Sequence, residues 1–120
     1  MTKILAVDDS ASMRQMVAFT LKTAGFEVTD ASDGDKALEI AKKQTFDLVI
    51  TDVNMPNMDG ITLCKALRAL PTFKFTPILM LTTESSVDKK QAGRAAGATG
   101  WIVKPFNPDQ LLATVNKVVG

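Results

Sequence analysis

Phe46-Asp47-Leu48-Val49-Ile50-Thr51-Asp52-Val53-Asn54-Met55-Pro56-Asn57-Met58-Asp59-Gly60 passes from an apolar run of buried-strand character into a turn-rich loop, and the change falls at a carboxylate. Leu48 to Ile50 is continuously apolar, as a strand covered on both faces requires. Pro56, Asn57 and the Asp59-Gly60 pair are turn formers. Asp52 is therefore predicted at a strand tip, aimed at a ligand. The same pattern recurs on either side of this stretch. Ile4-Leu5-Ala6-Val7 ends in Asp8-Asp9, the run Ile78 to Leu81 ends in Thr82, and the run Gly100 to Val103 ends in Lys104. Polar groups converge where the strands stop.

Five short apolar runs alternate with longer segments of helical period, the arrangement of a parallel sheet covered by helices. Strands are predicted at 3–7, 26–31, 47–51, 77–81 and 100–103. The runs at Ile4, Leu48 and Ile78 should be central, whereas Phe26 to Asp30 alternates apolar and polar residues, as an edge strand does. The first helix carries Met13, Met16, Val17, Thr20, Leu21 and Ala24 on one stripe and stops at Gly25. The second begins near Asp33-Gly34 with Ala37, Leu38 and Ala41 inward. The third runs from about Asp59, with Ile61, Leu63, Cys64, Leu67 and Leu70 inward, and Pro71 ends it. The last opens on Asn107 as N-cap with Pro108 at its first position, and presents Leu111, Leu112, Val115, Val118 and Val119. The fourth, over 86–96, offers Val87 and then only Ala92, Ala95 and Ala96. Its Gly93 costs about 1 kcal/mol of helix propensity, so it is predicted to be the loosest element.

At 120 residues, with 46% hydrophobic and 22% charged, the chain fits one globular domain over residues 1–120, and no output domain is expected. A net charge of +1 without a Lys or Arg run argues against direct nucleic-acid binding. No apolar stretch reaches the roughly 20 residues that span a bilayer, and Met1-Thr2-Lys3 leads straight into a strand. A cytoplasmic monomer is expected. The absence of histidine excludes Ser-His-Asp and Cys-His mechanisms and any usual zinc site, and the single cysteine, Cys64, is predicted to be a small buried hydrophobe. Chemistry here must use carboxylates, Lys and hydroxyls.

In open parallel sheets, ligands bind at the carboxyl ends of the strands. Three ionised carboxylates meeting there within about 4 Å would repel by roughly 4 kcal/mol per pair at an effective dielectric of 20, so a positive partner is required. Mg2+ fits best, because it accepts a few carboxylate ligands and keeps water for a phosphate oxygen. Lys104 supplies a second, movable charge. Pro105 biases it to extended geometry and permits a cis bond that would turn the ammonium over the strand ends. Taken singly, each residue has an ordinary reading. Asp8 or Asp9 could cap the first helix, Asp52 could serve a turn, Thr82 could end a strand, Lys104 could be solvated and Trp101 could be core. It is their joint placement at four strand ends that points to a site.

With an acidic pair after the first strand, Asp-x-Asn-Met-Pro-x-Met-Asp-Gly after the third, a hydroxyl residue ending the fourth and Lys-Pro-Phe after the fifth, the chain resembles the response-regulator receiver domains of two-component systems along essentially its whole length. The run Asn54 to Gly60 is especially similar to their chemotaxis members. The resemblance implies a doubly wound α/β fold of the (βα)5, flavodoxin-like kind, with strand order 2-1-3-4-5. It implies Asp52 as phosphoacceptor. Asp9, Asp52 and the backbone carbonyl of Asn54 would bind Mg2+ directly, with Asp8 acting through water and Lys104 and Thr82 on the phosphoryl oxygens. The donor would be a phosphohistidine on a sensor histidine kinase of the CheA-like kind, and the downstream partner a target protein such as a flagellar motor switch component, with a phosphatase as a further partner. Trp101 stands at an aromatic position that, with Thr82, reports the switch to a surface formed by the fourth helix, fifth strand and fifth helix. This position is usually Tyr or Phe, and the larger indole argues against a simple inward swing. Glu84, two residues past Thr82, stands where it could influence access of water.

The expected function is a stand-alone, phosphorylation-dependent protein-binding switch in chemotaxis or motility that assists its own phosphorylation and dephosphorylation without being a conventional enzyme. A phosphate sink or relay shuttle would use the same site, as would a receiver fragment of a larger regulator. A haloacid-dehalogenase-type phosphatase is the remote alternative, because its general acid would fall at Asn54, which cannot supply a proton.

Overall fold

The computed structural model describes residues 2–82, 87–104 and 106–119, with residues 87–90 described by their backbone. Strands β1 (Lys3–Val7), β2 (Glu27–Ala31), β3 (Leu48–Asp52), β4 (Ile78–Thr82) and β5 (Gly100–Val103) alternate with helices α1 (Ala11–Thr23), α2 (Gly34–Lys43), α3 (Gly60–Arg68), α4 (Val87–Ala96) and α5 (Pro108–Val119). The sheet is parallel throughout, in the order β2-β1-β3-β4-β5. β1, β3 and β4 are central, and β2 is an edge, as their patterning requires.

Three strands begin one residue later than predicted, and each shift has a local cause. Phe26 belongs to the end of α1, where its N–H donates to Leu21 O at 3.1 Å while Gly25, at φ +97°, donates to Lys22 O at 3.0 Å. Asp47 precedes β3 because its side chain accepts the Lys3 N–H at 2.8 Å. Pro77 has no N–H to give the ladder, although its carbonyl accepts from Val49 at 3.0 Å. α3 ends earlier than predicted, with Ala69 as C-cap, and Pro71 opens a separate 3₁₀ turn, Pro71–Phe73.

Strand alternation divides the core into two layers. Leu5, Val7, Val49, Ile78 and Met80 face Ala37, Ala41, Leu63, Cys64, Leu67 and Ala96 of α2, α3 and α4. Ile4, Ala6, Leu48, Ile50, Leu79, Leu81 and Ile102 face Val17, Leu21, Leu111 and Val115 of α1 and α5. Three residues expected to face inward are exposed. Ala24 is exposed at the C-cap of α1, and α4 buries Gly93 and Ala96 while Ala92 and Ala95 face out. The reason in α4 is the Trp101 ring: a Cβ on Gly93 would collide with Cζ2 and Cη2 of the indole. Gly93 is a packing requirement that an apolar-stripe reading cannot register. The Ser86 start of this helix, the Val87 side chain, Glu84 and Pro105 lie outside the described residues or side chains. Among the described residues no helix is long and apolar enough to cross a membrane.

Candidate functional site

The central strands deliver carboxylates to neighbouring positions. Val7 pairs with Thr51, so the next residues, Asp8 just past β1 and Asp52 at the end of β3, stand side by side. Asp8 is buried, at 2% exposure. Its Oδ1 accepts the Ser10 N–H at 2.9 Å and its Oδ2 accepts Lys104 Nζ at 3.3 Å. Asp9 is exposed. The cap of α1 is Ser10, whose Oγ accepts the Met13 N–H at 3.4 Å, so neither aspartate fills the helix-cap role that was its ordinary reading.

Asp52 ends β3 at 8% exposure, with Oδ1 3.3 Å from Lys104 Nζ. The chain turns back immediately after it. Val53 donates to Leu81 O at 3.0 Å, and the Gly60 N–H returns to Val53 O at 2.9 Å. Gly60 packs so closely on the main chain that a Cβ there would strike the Asp52 carbonyl. Met55 is buried beneath this loop, Asn57 takes φ 68°, Met58 donates to Pro56 O at 2.8 Å, and Asp59 caps α3 by accepting the Thr62 N–H at 2.7 Å. Asn54 is exposed at its start. Thr82 ends β4, buried, and its carbonyl accepts the Lys104 N–H at 2.7 Å.

Lys104 thus links Asp8 and Asp52 through one ammonium group, and that side chain is only 13% exposed. Burial pushes the Asp52 carboxyl above its ordinary range. Lys104 opposes the rise by charge and hydrogen bond, and Asp8 and Asp9 add to it. One carboxylate oxygen from each of Asp8, Asp9 and Asp52 lies within 4.8 Å of the others. Two oxygens on one magnesium ion stand no more than about 4.2 Å apart. The trio therefore fits such an ion after a small contraction, or with one member acting through water. Asp8, already engaged by Ser10 and Lys104, suits the indirect place. Hard oxygen donors and no sulfur or imidazole match this ion's preference.

Trp101 is half-buried on edge strand β5, opposite Met80, and packs against α4 at Gly93. It also borders an open depression of about 580 Å³ with Val103, Lys104, Phe106 and Gln110. The indole so links the strand that leads into Lys104 to the helix beyond Thr82. Cys64 is buried as predicted, and burial raises its thiol pKa. Its Sγ also bonds Ala96 O at 3.3 Å, a polar tie that the helical stripe did not signal. The role of Gly93 was likewise missed. The only available signal was a helix-breaking residue in a chain whose single tryptophan needed room.

A family model described as the response regulator receiver domain matches residues 4–116. The chemotaxis protein CheY-3 of Vibrio cholerae is 44% identical over 117 residues, covering 97% of this chain and 90% of that protein. The solved structure of Vibrio cholerae chemotaxis protein CheY4 is 60% identical and superposes with a TM-score of 0.96, covering 98% of each chain. The receiver domain of sensor histidine kinase PA1611 from Pseudomonas aeruginosa PAO1 holds a magnesium ion in its active-site cleft. It is 26% identical with a TM-score of 0.92, covering 99% of this chain and 98% of that one. With the fold, the strand-end acids and a family model across nearly its whole length, this chain belongs to the response-regulator receiver domain family.

Proposed function

We propose that this receiver domain is a phosphorylation-dependent switch: Asp52 accepts a phosphoryl group from a phosphohistidine on a sensor histidine kinase, and the phosphorylated chain binds a downstream protein in chemotaxis or motility. The observation that carries this reading is the Lys104 ammonium held 3.3 Å from both Asp52 Oδ1 and Asp8 Oδ2, at the strand ends where a third carboxylate, Asp9, is also placed. Phosphoryl transfer needs in-line positioning and neutralisation of spreading charge more than covalent help from the protein, and the Lys104 ammonium beside Asp52 supports the second.

A carboxylate oxygen of Asp52 attacks phosphorus, the bond from phosphorus to the kinase imidazole breaks, and the imidazole leaves with the electron pair and takes a proton. The product is an acyl phosphate on Asp52. In this reading Lys104 would follow the charge from the free carboxylate to the phosphoryl oxygens, and Thr82 would contribute its hydroxyl. A magnesium ion held by Asp9, Asp52 and the Asn54 carbonyl, with Asp8 behind it, would supply charge neutralisation at the phosphoryl group. Water attacking phosphorus returns the carboxylate and free phosphate, so the chain assists its own reset. The similarity to CheY-3 and CheY4 supports a chemotaxis setting. A sink or relay shuttle would share the site, and differs in showing no target binding that depends on Asp52 phosphorylation. The test is labelling with acetyl phosphate as a small-molecule donor. Label on the wild-type chain and none on Asp52→Asn is expected, and label retained by that variant would reject the assignment.

A further inference from the structure

Arg14 lies on α1, outside the carboxylate cluster, yet it grips the chain between the two acids. Its Nη1 donates to the main-chain carbonyl of Asp8 at 2.8 Å, and its Nε pairs with Asp30 Oδ2 on β2 at 3.1 Å. The side chain is only 19% exposed. On the other side, the Asp8 N–H donates to the carbonyl of Ala31, the residue after Asp30, at 3.2 Å. The Asp8 carbonyl belongs to the peptide unit that joins Asp8 to Asp9. That unit is planar, so fixing its oxygen sets the angle at which the two carboxylates leave the chain.

We infer that Arg14 is a positioning residue for the acidic pair. Its guanidinium fork, braced by Asp30, holds the Asp8-Asp9 peptide so that both carboxylates are preset for a divalent cation. This inference rests on the reading of Asp8, Asp9 and Asp52 as a magnesium site. The fork is essential to it. One nitrogen is anchored to Asp30 while another reaches the carbonyl, a fixed two-point geometry that a lysine ammonium does not reproduce. A partly exposed Arg-Asp pair adds little to folding, so its effect should appear in metal affinity more than in stability. Charge alone would act with the opposite sign, because a guanidinium beside the site repels a cation.

The test follows the thermal midpoint of the full chain as a function of Mg2+ concentration, which yields stability and metal affinity together. Arg14→Lys and Arg14→Gln should each bind Mg2+ about tenfold more weakly, in the range for residues that orient metal ligands, while their metal-free midpoints stay within about 3 °C of wild type. Asp30→Ala, which leaves the guanidinium but removes its brace, should show a smaller loss in the same direction. In acetyl phosphate labelling, the Mg2+ midpoint should shift while the rate at saturating Mg2+ recovers. Unchanged affinity in Arg14→Lys, or tighter binding in Arg14→Gln, overturns the inference while leaving the proposed function standing. If the Arg14 variants prove too unstable to read, wild-type affinity in Asp30→Ala overturns it instead. A wild-type chain whose midpoint ignores Mg2+ would overturn the site reading and this inference with it.

Discussion

Asp52 is buried next to two other acids, with the Lys104 ammonium 3.3 Å from its Oδ1. Its carboxyl pKa is therefore raised above 3.8, chiefly by desolvation. Between the ordinary and the raised value the folded chain keeps a proton that the unfolded chain releases, so stability falls as pH rises through that interval and remains lower above it. In EDTA at neutral pH, Asp52→Asn should melt higher than wild type, because Lys104 keeps Asp8 as partner. The gain should vanish as the pH falls below the ordinary carboxylate value. Melting curves across pH check this, and a wild type as stable as the variant at neutral pH would count against it. Gly60 is a second residue-scale test, since a Cβ there meets the Asp52 carbonyl. Gly60→Ala is expected to cost about 2 kcal/mol in urea unfolding and to slow acetyl phosphate labelling roughly tenfold or more by displacing Asp52, the proposed acceptor. The Asp59-Gly60 turn was visible in the sequence. The contact that makes glycine necessary was not, because it joins residues that approach only after the loop closes.

Among the elements, α4 departs most from its sequence reading. Periodicity put Ala92 and Ala95 inside, yet among the described side chains of this helix the buried positions are Gly93 and Ala96, because the indole of Trp101 occupies the space. A stripe analysis counts apolar side chains and cannot see a ring donated by a neighbouring strand. Gly93→Ala should gain about 1 kcal/mol of helix propensity but lose about 1–3 kcal/mol to overpacking. It should also displace the indole towards water, shifting the emission of the sole tryptophan to longer wavelength; an unmoved spectrum would contradict the packing described. The C-terminal end of α4 is pinned from α3. Arg68 donates to Gly97 O at 2.8 and 3.1 Å, to Phe73 O at 2.7 Å and to Thr76 O at 2.6 Å, beside the Cys64 contact to Ala96 O. Arg68→Met would strand those carbonyls and is expected to cost about 2–4 kcal/mol. Amide exchange should accelerate first around residues 73–76 and 97–98. Uniform acceleration across the sheet would instead show that Arg68 acts globally.

At the scale of the whole molecule, the site was legible because a parallel sheet gathers its strand ends. The apolar runs at Ile4, Leu48, Ile78 and Gly100 each stop at a polar residue, and a period of two places Asp8, Asp52 and Lys104 in line with Ala6, Ile50 and Ile102. The strand order rested on the resemblance, since five alternating units alone permit several windings, and the structure bears it out. The unequal burial of Asp8 and Asp9 could not be read, because it depends on Lys104 arriving from a residue 96 positions away. Nor could the Arg14 bond, which ends on a main-chain oxygen that every residue carries. All of this depends on the three gathered carboxylates forming a magnesium site around Asp52, the proposed phosphoacceptor. Calorimetric titration of the folded chain with Mg2+ tests it most directly. Uptake of a single ion per chain, weakened about tenfold or more in Asp52→Asn, is the predicted result; no uptake by folded wild-type protein, or equal uptake by the variant, would contradict it.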